Sequence, residues 1–184
     1  MRLFIAVNFD EAAKSRLLAI QDHLKAQSDR GNFSRPENLH LTLVFIGEVS
    51  AALVPEITAI IKSSLMSSGS FSIDLDRMGC FKRGGKELWW IGAESDPQAV
   101  TNTDFRALTG IRQQIGDGLD RAGIHYDRRP FRAHITLGRE IKPFAPIVLG
   151  ENRLNVPIRR ISLMKSEHLR GMLTYTEIFG QDLP

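Results

Sequence analysis

The chain is poor in cysteine: Cys80 is the only one in 184 residues. An internal disulfide and a thiolate metal site are therefore excluded, and the composition fits a reducing compartment, with the cytoplasm expected. Long hydrophobic runs are missing as well. The apolar stretch that starts at Leu3 is broken by Asn8 and Asp10, too early for a signal peptide or a membrane span. It reads instead as a first β-strand. A strong excess of one charge is also lacking, since 24 Lys and Arg face 21 Asp and Glu, which argues against tight binding of long nucleic acid by charge alone. The 15 glycines and 8 prolines are scattered, so collagen-like and low-complexity readings fail. There is no Walker loop, no zinc-ligand spacing and no G-x-S-x-G elbow.

What is present suits one domain or two small packed lobes, with 42% apolar residues to build a core. Ala13, Leu17, Ile20 and Leu24 fall at helical spacing behind Asp10 as N-cap, and Ser50 caps a second helix to about Met66. A third helix runs from Thr103 to about Ala122, closed by Gly123. Strand patterns cover Leu39–Ile46, Phe71–Leu75, Glu87–Gly92, Ala133–Arg139, Pro157–Glu167 and Leu173–Phe179. The second and third of these read as a hairpin joined through Lys82–Lys86. Ser63–Ser72 and Glu94–Asn102 read as connections. The order predicts an α+β fold with largely antiparallel pairing. Arginines cluster locally, with Arg128, Arg129, Arg132 and Arg139 close together and Arg159, Arg160, Lys165 and Arg170 following. Such a patch suits a phosphate-bearing partner, although a solvated face looks the same in sequence.

The most informative feature is an internal repeat. Arg35-Pro36-Glu37-Asn38-Leu39-His40-Leu41-Thr42-Leu43 matches Arg129-Pro130-Phe131-Arg132-Ala133-His134-Ile135-Thr136-Leu137, both R-P-x-x-x-H-φ-T-L, about half the chain apart. That spacing predicts two pseudo-symmetric lobes flanking a central cleft, within a single bilobal domain over residues 1–184. On a strand, positions i and i+2 share a face, so His40 with Thr42 and His134 with Thr136 point one way while the leucines and Ile135 enter the core. Each proline disfavours helix just upstream and delivers its strand at a fixed place. A lone His-φ-Thr is most simply a packed or surface histidine. Duplication of a structural strand would explain the apolar positions and the proline, but not the return of His and Thr on the face away from the core. Two imidazoles in opposite protonation states can serve as base and acid. Threonine hydroxyls can hold non-bridging phosphate oxygens without adding charge, and Arg132 can supply a bidentate fork.

At these residues the chain resembles the two-histidine phosphoesterases, and within them the RNA 2′,3′-cyclic phosphodiesterases, also called 2′-5′ RNA ligases. The resemblance takes in Met1–Ala6, both repeats and Gly47-Glu48, with Ser166 and Tyr175 in a looser C-terminal pattern. It implies opening of a 2′,3′-cyclic phosphate at an RNA end, or in a small cyclic nucleotide, to a 2′-phosphomonoester. His40 would be the proton donor, His134 the proton acceptor, and Thr42, Thr136 and Arg132 the phosphate contacts. No metal or cofactor is implied. The same acid-base pair joining a 2′,3′-cyclic phosphate to a 5′-hydroxyl would give a 2′-5′ linkage. Phe33 stands where the family often has tryptophan, and Ala133 where proline is usual.

Phe33, Arg170 and Tyr175 are further candidates for substrate contact, and Arg139 is suggested by proximity to the second repeat alone. His23 reads as a surface residue, while His125 and His168 sit in or next to basic, turn-like stretches, where His168 suits substrate contact better than catalysis. Trp89 and Trp90 point to opposite faces of one strand, one to the core and the other toward a surface or the cleft. Lys82, Arg83 and Lys86 read as edge protection. The chain is expected to act as a monomer with no membrane partner. The competing readings are a cleft that holds a nucleotide or RNA end without turnover, and a two-histidine hydrolase of 2′-5′ oligoadenylate or of ADP-ribose cyclic phosphate.

Overall fold

A computed structural model describes residues 1–84, 86–93, 103–145, 147 and 154–184; the connection expected over Glu94–Asn102 lies outside them. The first strand, β1 (Arg2–Asn8), sends alternate side chains to opposite faces, and α1 (Glu11–Ala26) follows at once. The Ala13 amide donates to the Asp10 carboxylate at 2.8 Å, which satisfies one of the helix's unpaired N–H groups. Next come β2 (Ser28–Phe33) and β3 (His40–Glu48), then a single 3-10 turn capped by Ser50 that leads into α2 (Val54–Leu65). After β4 (Phe71–Leu75), β5 (Arg77–Arg83) and β6 (Lys86–Gly92), α3 (Thr103–Arg121) ends at Gly123, whose φ of +67° is the left-handed conformation that glycine tolerates. The chain closes with β7 (His134–Pro143), β8 (Leu154–Ile158), β9 (Arg160–Leu169) and β10 (Met172–Asp182).

The eight-stranded sheet runs β10-β9-β1-β3-β7-β6-β5, with β2 paired to the far end of β7. Every pairing in it is antiparallel. This is the expected α+β fold, with the two repeats at its centre. An approximate two-fold relates β3 to β7 and β1 to β6, and β3 itself meets β7 at one laddered pair, Leu41 with Ile135. All three helices pack on one face, where Leu3, Ile5 and Val7 of β1 join Leu41, Leu43, Ile135 and Leu137 in the main core. Fully burying side chains of this size contributes roughly 1.5–3 kcal/mol each. The other face is largely bare, carrying a small cluster of Phe4, Ala6 and Met164.

Three local expectations change. Phe71–Leu75 does not pair with Glu87–Gly92; β4 pairs with β8 in a separate two-stranded sheet over the helical side. The hairpin partner of β6 is β5, which sequence pattern hid because it lacks alternation and carries Gly79. That glycine is required, since a Cβ there would stand 2.2 Å from the Trp90 ring. The stretch Pro157–Glu167 divides into β8 and β9. The third change is β2, read as a break at Gly31-Asn32, which forms a strand on the edge of β7.

Candidate active site

Both repeats deliver their histidine as the first residue of a central strand, His40 beside Asn8 of β1 and His134 beside Gly92 of β6. Upstream of the first, Pro36–Asn38 forms a 3-10 turn, where helix was not expected; proline at the first position of such a turn has no N–H to lose. Gln21, buried on α1, fixes this approach by donating to the carbonyls of Ser34 and Leu137, each at 2.8 Å.

The imidazoles are held alike. His40 Nδ1 lies 2.7 Å from the Asn38 carbonyl, and His134 Nδ1 lies 2.7 Å from the Arg132 carbonyl, two residues upstream in each case. A carbonyl oxygen only accepts, so Nδ1–H donates and the neutral ring presents Nε2 without a proton. The Thr42 hydroxyl is 2.9 Å from His40 Nε2 and donates to it in that state. Among the described residues, nothing hydrogen-bonds His134 Nε2. Carrying the Leu41–Ile135 pairing one residue each way sets His40 across from Thr136 and His134 across from Thr42.

Each ring also stands against two aromatic side chains. Phe4 and Tyr175 flank His40 at 4.9 and 5.0 Å between centroids, and Phe81 and Trp90 flank His134 at 5.1 and 6.1 Å. These walls desolvate the imidazolium form, which lowers the His40 pKa to about 4 and also lowers that of His134. Hydrogen bonds to the upstream carbonyls oppose the effect, while positive neighbours add to it: Arg139 acts on both rings, and Arg132 on His134. Burial likewise raises the Tyr175 pKa, so its phenol stays protonated.

A cavity of about 870 Å³ opens along this seam, walled by Thr42 and Phe45 on one side and by His134, Phe81, Arg132 and Arg139 on the other. His40 does not line it and stands behind Thr42, at the 2.9 Å contact. Thr136 is half-buried, its carbonyl accepting from the Ser34 hydroxyl at 2.7 Å. The Arg132 guanidinium stands 5.8 Å over the Phe81 ring. Thr136 and Tyr175 are not among its lining residues, and two further sequence candidates lie away from both histidines. Phe33 packs into the main core with the Lys25 ammonium 5.4 Å over its ring, and Arg170 is exposed in the β9–β10 turn. Neither lines the cavity.

The basic patch is also thinner than its sequence suggests. Arg128 pairs with Asp120, Arg129 with Asp127, and Arg160 with Glu177 and Asp182. Arg132 and Arg139 have no ion pair among the described residues and face the cavity. Sequence reasoning missed Phe4 and Phe81 and undervalued Arg139. Its charge reaches both histidines and Tyr175, and the only sequence signal was its place five residues after His134.

Comparison with known proteins fits this geometry. The LigT-like phosphoesterase family profile matches residues 7–89. The RNA 2′,3′-cyclic phosphodiesterase of Thermotoga maritima is 31% identical over 140 residues, 76% of this chain and 70% of that one. Among solved structures, apo Escherichia coli LigT superposes with a TM-score of 0.80 at 26% identity, covering 99% of this chain and 96% of that one. E. coli LigT complexed with 3′-AMP gives 0.79 at 25% identity, covering 99% and 97%. With its duplicated histidine strands and a relative matched over most of both chains, the protein belongs to the LigT-like phosphoesterases.

Proposed function

We propose that the chain is a metal-independent RNA 2′,3′-cyclic phosphodiesterase that acts in the cytoplasm as a monomer, its 184 residues forming one bilobal domain around the cleft. Its substrate is an RNA 3′ end, or a small nucleotide, carrying a 2′,3′-cyclic phosphate. The observation that carries the reading is the paired presentation of Nε2 by His40 and His134 on two strands related by a pseudo-two-fold. Binding alone needs no such pair. Among the described residues no helix is long and apolar enough to cross a membrane.

His134, which lines the cavity, takes a proton from water as the water oxygen attacks phosphorus opposite the 3′ oxygen. The P–O3′ bond breaks, and His40 gives its Nε2 proton to the departing 3′ oxygen. The products are a 2′-phosphomonoester and a 3′-hydroxyl, with the proton on His134 returned to solvent and His40 recharged from it. Thr42 and Thr136 donate to the non-bridging oxygens, and Arg132 with Arg139 opposes their charge. Tyr175 holds the His40 ring edge-on. Run in the same direction with a ribose 5′-hydroxyl in place of water, the same pair forms a P–O5′ bond as P–O3′ breaks and joins RNA ends through a 2′-5′ linkage.

The test is incubation of EDTA-treated protein with a 2′,3′-cyclic nucleotide and with a short RNA ending in one, separating 2′- from 3′-phosphate products. The expected product is the 2′-phosphate. His40→Ala and His134→Ala should each slow turnover by about 10²- to 10⁴-fold, the double variant losing far less than the product of the two. A 3′-phosphate product, or near-normal rates in either variant, would overturn the assignment.

A further inference from the structure

The cavity at His134 does not end at Arg139. A second, of about 740 Å³, lies beyond it between β2, β6 and the far end of β7, and Asn32, Glu87 and Glu140 line both. The two therefore adjoin across these three side chains, as successive stretches of one groove line. Its far end is lined by Arg30 and Lys142, which the β2–β7 register sets directly opposite each other, both exposed. Like charges in that cross-strand position destabilise a sheet. Among the described residues neither has an ion pair to relieve it.

The groove's two acids supply only part of that relief, since the charge of Lys142 acts on Glu87 while both carboxylates are shared with other lysines. Glu140 is tied to Lys86 at 3.1 Å and accepts from the Asn32 amide at 3.2 Å, and Glu87 is tied to Lys82 at 3.2 Å. Glu140 holds this position with φ at +54°, a conformation that non-glycine residues adopt at a cost and that collects at ligand clamps. Around this end of the groove four cations, Arg30, Lys82, Lys86 and Lys142, face two carboxylates, Glu87 and Glu140, which leaves an excess of positive charge.

We propose that this groove carries the sugar–phosphate chain of RNA, with Arg30 and Lys142 binding a phosphodiester several nucleotides from the reacting end. The inference rests on the function proposed above. A nucleotide ending in a 2′,3′-cyclic phosphate has chain on its 5′ side only, so any further phosphate must come from upstream. His134 and Lys142 are eight residues apart on β7, roughly 26 Å at about 3.3 Å per residue. A mononucleotide cannot span that distance, whereas an extended oligonucleotide can. The protein thus reads substrate length at one end of the groove and performs chemistry at the other.

The test compares kcat/KM for a mononucleotide 2′,3′-cyclic phosphate with that for oligoribonucleotides of increasing length ending in the same group. Wild-type protein should prefer the longer oligonucleotides by about tenfold at low salt, and the preference should shrink as salt rises. Arg30→Glu and Lys142→Glu should remove most of it while leaving the mononucleotide rate within about twofold of wild type. Arg30→Met and Lys142→Met, which create no new ion pair across the strands, should act in the same direction. Equal kcat/KM at every length, or variants that slow both substrates alike, would overturn the groove and leave the chemistry standing. Absence of turnover on the mononucleotide and on every oligonucleotide would instead strike at the proposed function itself.

Discussion

His40 and His134 share the same Nδ1 tether and the same kind of aromatic enclosure, and the free protein keeps both rings neutral at pH 7. The proposed chemistry needs His134 neutral and His40 charged. With His40 near pKa 4, the share of free protein in that state falls about tenfold for each pH unit above the two pKa values. The pH profile of kcat/KM should therefore peak below about 6.5, the ordinary histidine value. A bound phosphate beside both rings favours their charged forms, which raises both pKa values, so kcat should peak at higher pH than kcat/KM. Rates measured from pH 4 to 9 check this, and a kcat/KM optimum at pH 8 would overturn it. The His and Thr positions were legible in sequence because the repeat printed them twice. Arg139, Phe4 and Phe81 were not, because no repeat marks them and only folding brings them to the rings. Phe33 misled for the converse reason: a motif position suggested the cleft, while the pleat turns the ring under Lys25.

At the level of elements, the three helices and the central strands followed from capping residues and periodicity, while β5 and β2 escaped both. β5 is shaped by its partner: Gly79 is open to the Trp90 indole, which in turn packs against Phe81 and His134. Adding one methyl there has a clear consequence. In Gly79→Ala the new Cβ, 2.2 Å from the ring, must push the rigid indole aside. Overpacking of this kind costs about 1–3 kcal/mol, so the thermal midpoint should fall. Because the indole is one wall of the His134 enclosure, kcat should fall with it and tryptophan fluorescence should shift. Unchanged fluorescence and rate would mean that Trp90 does not brace the histidine. The β4–β8 pairing was unreadable for a different reason, since nothing local links strands so distant in the chain.

Across the whole molecule, the symmetric placing of β3 and β7 was legible from the repeat, but that both halves share one sheet and one core was not, because ladder pairing leaves no mark on composition. The seam between β3 and β7 is held by a single residue pair, Leu41 with Ile135, while each histidine is fixed within its own half by an i−2 carbonyl and a pair of aromatic rings. Outside that rung the halves are joined by β2 along β7, by Gln21 and Ser34 against Thr136 and Leu137, and by a shared core. Between β3 and β7 themselves the ladder is one rung wide, the narrowest pairing in the sheet. An anion gripped from both sides acts as a stitch across the seam. Hydrogen exchange at the backbone of Leu41 and Ile135 should be faster than at the interior of β1 and should slow when inorganic phosphate or a 2′-nucleotide is added. Exchange unaltered by either would mean that the seam does not open. On that expectation these two neighbours of His40 and His134 act as a built-in gauge of occupancy, readable without following any turnover at all.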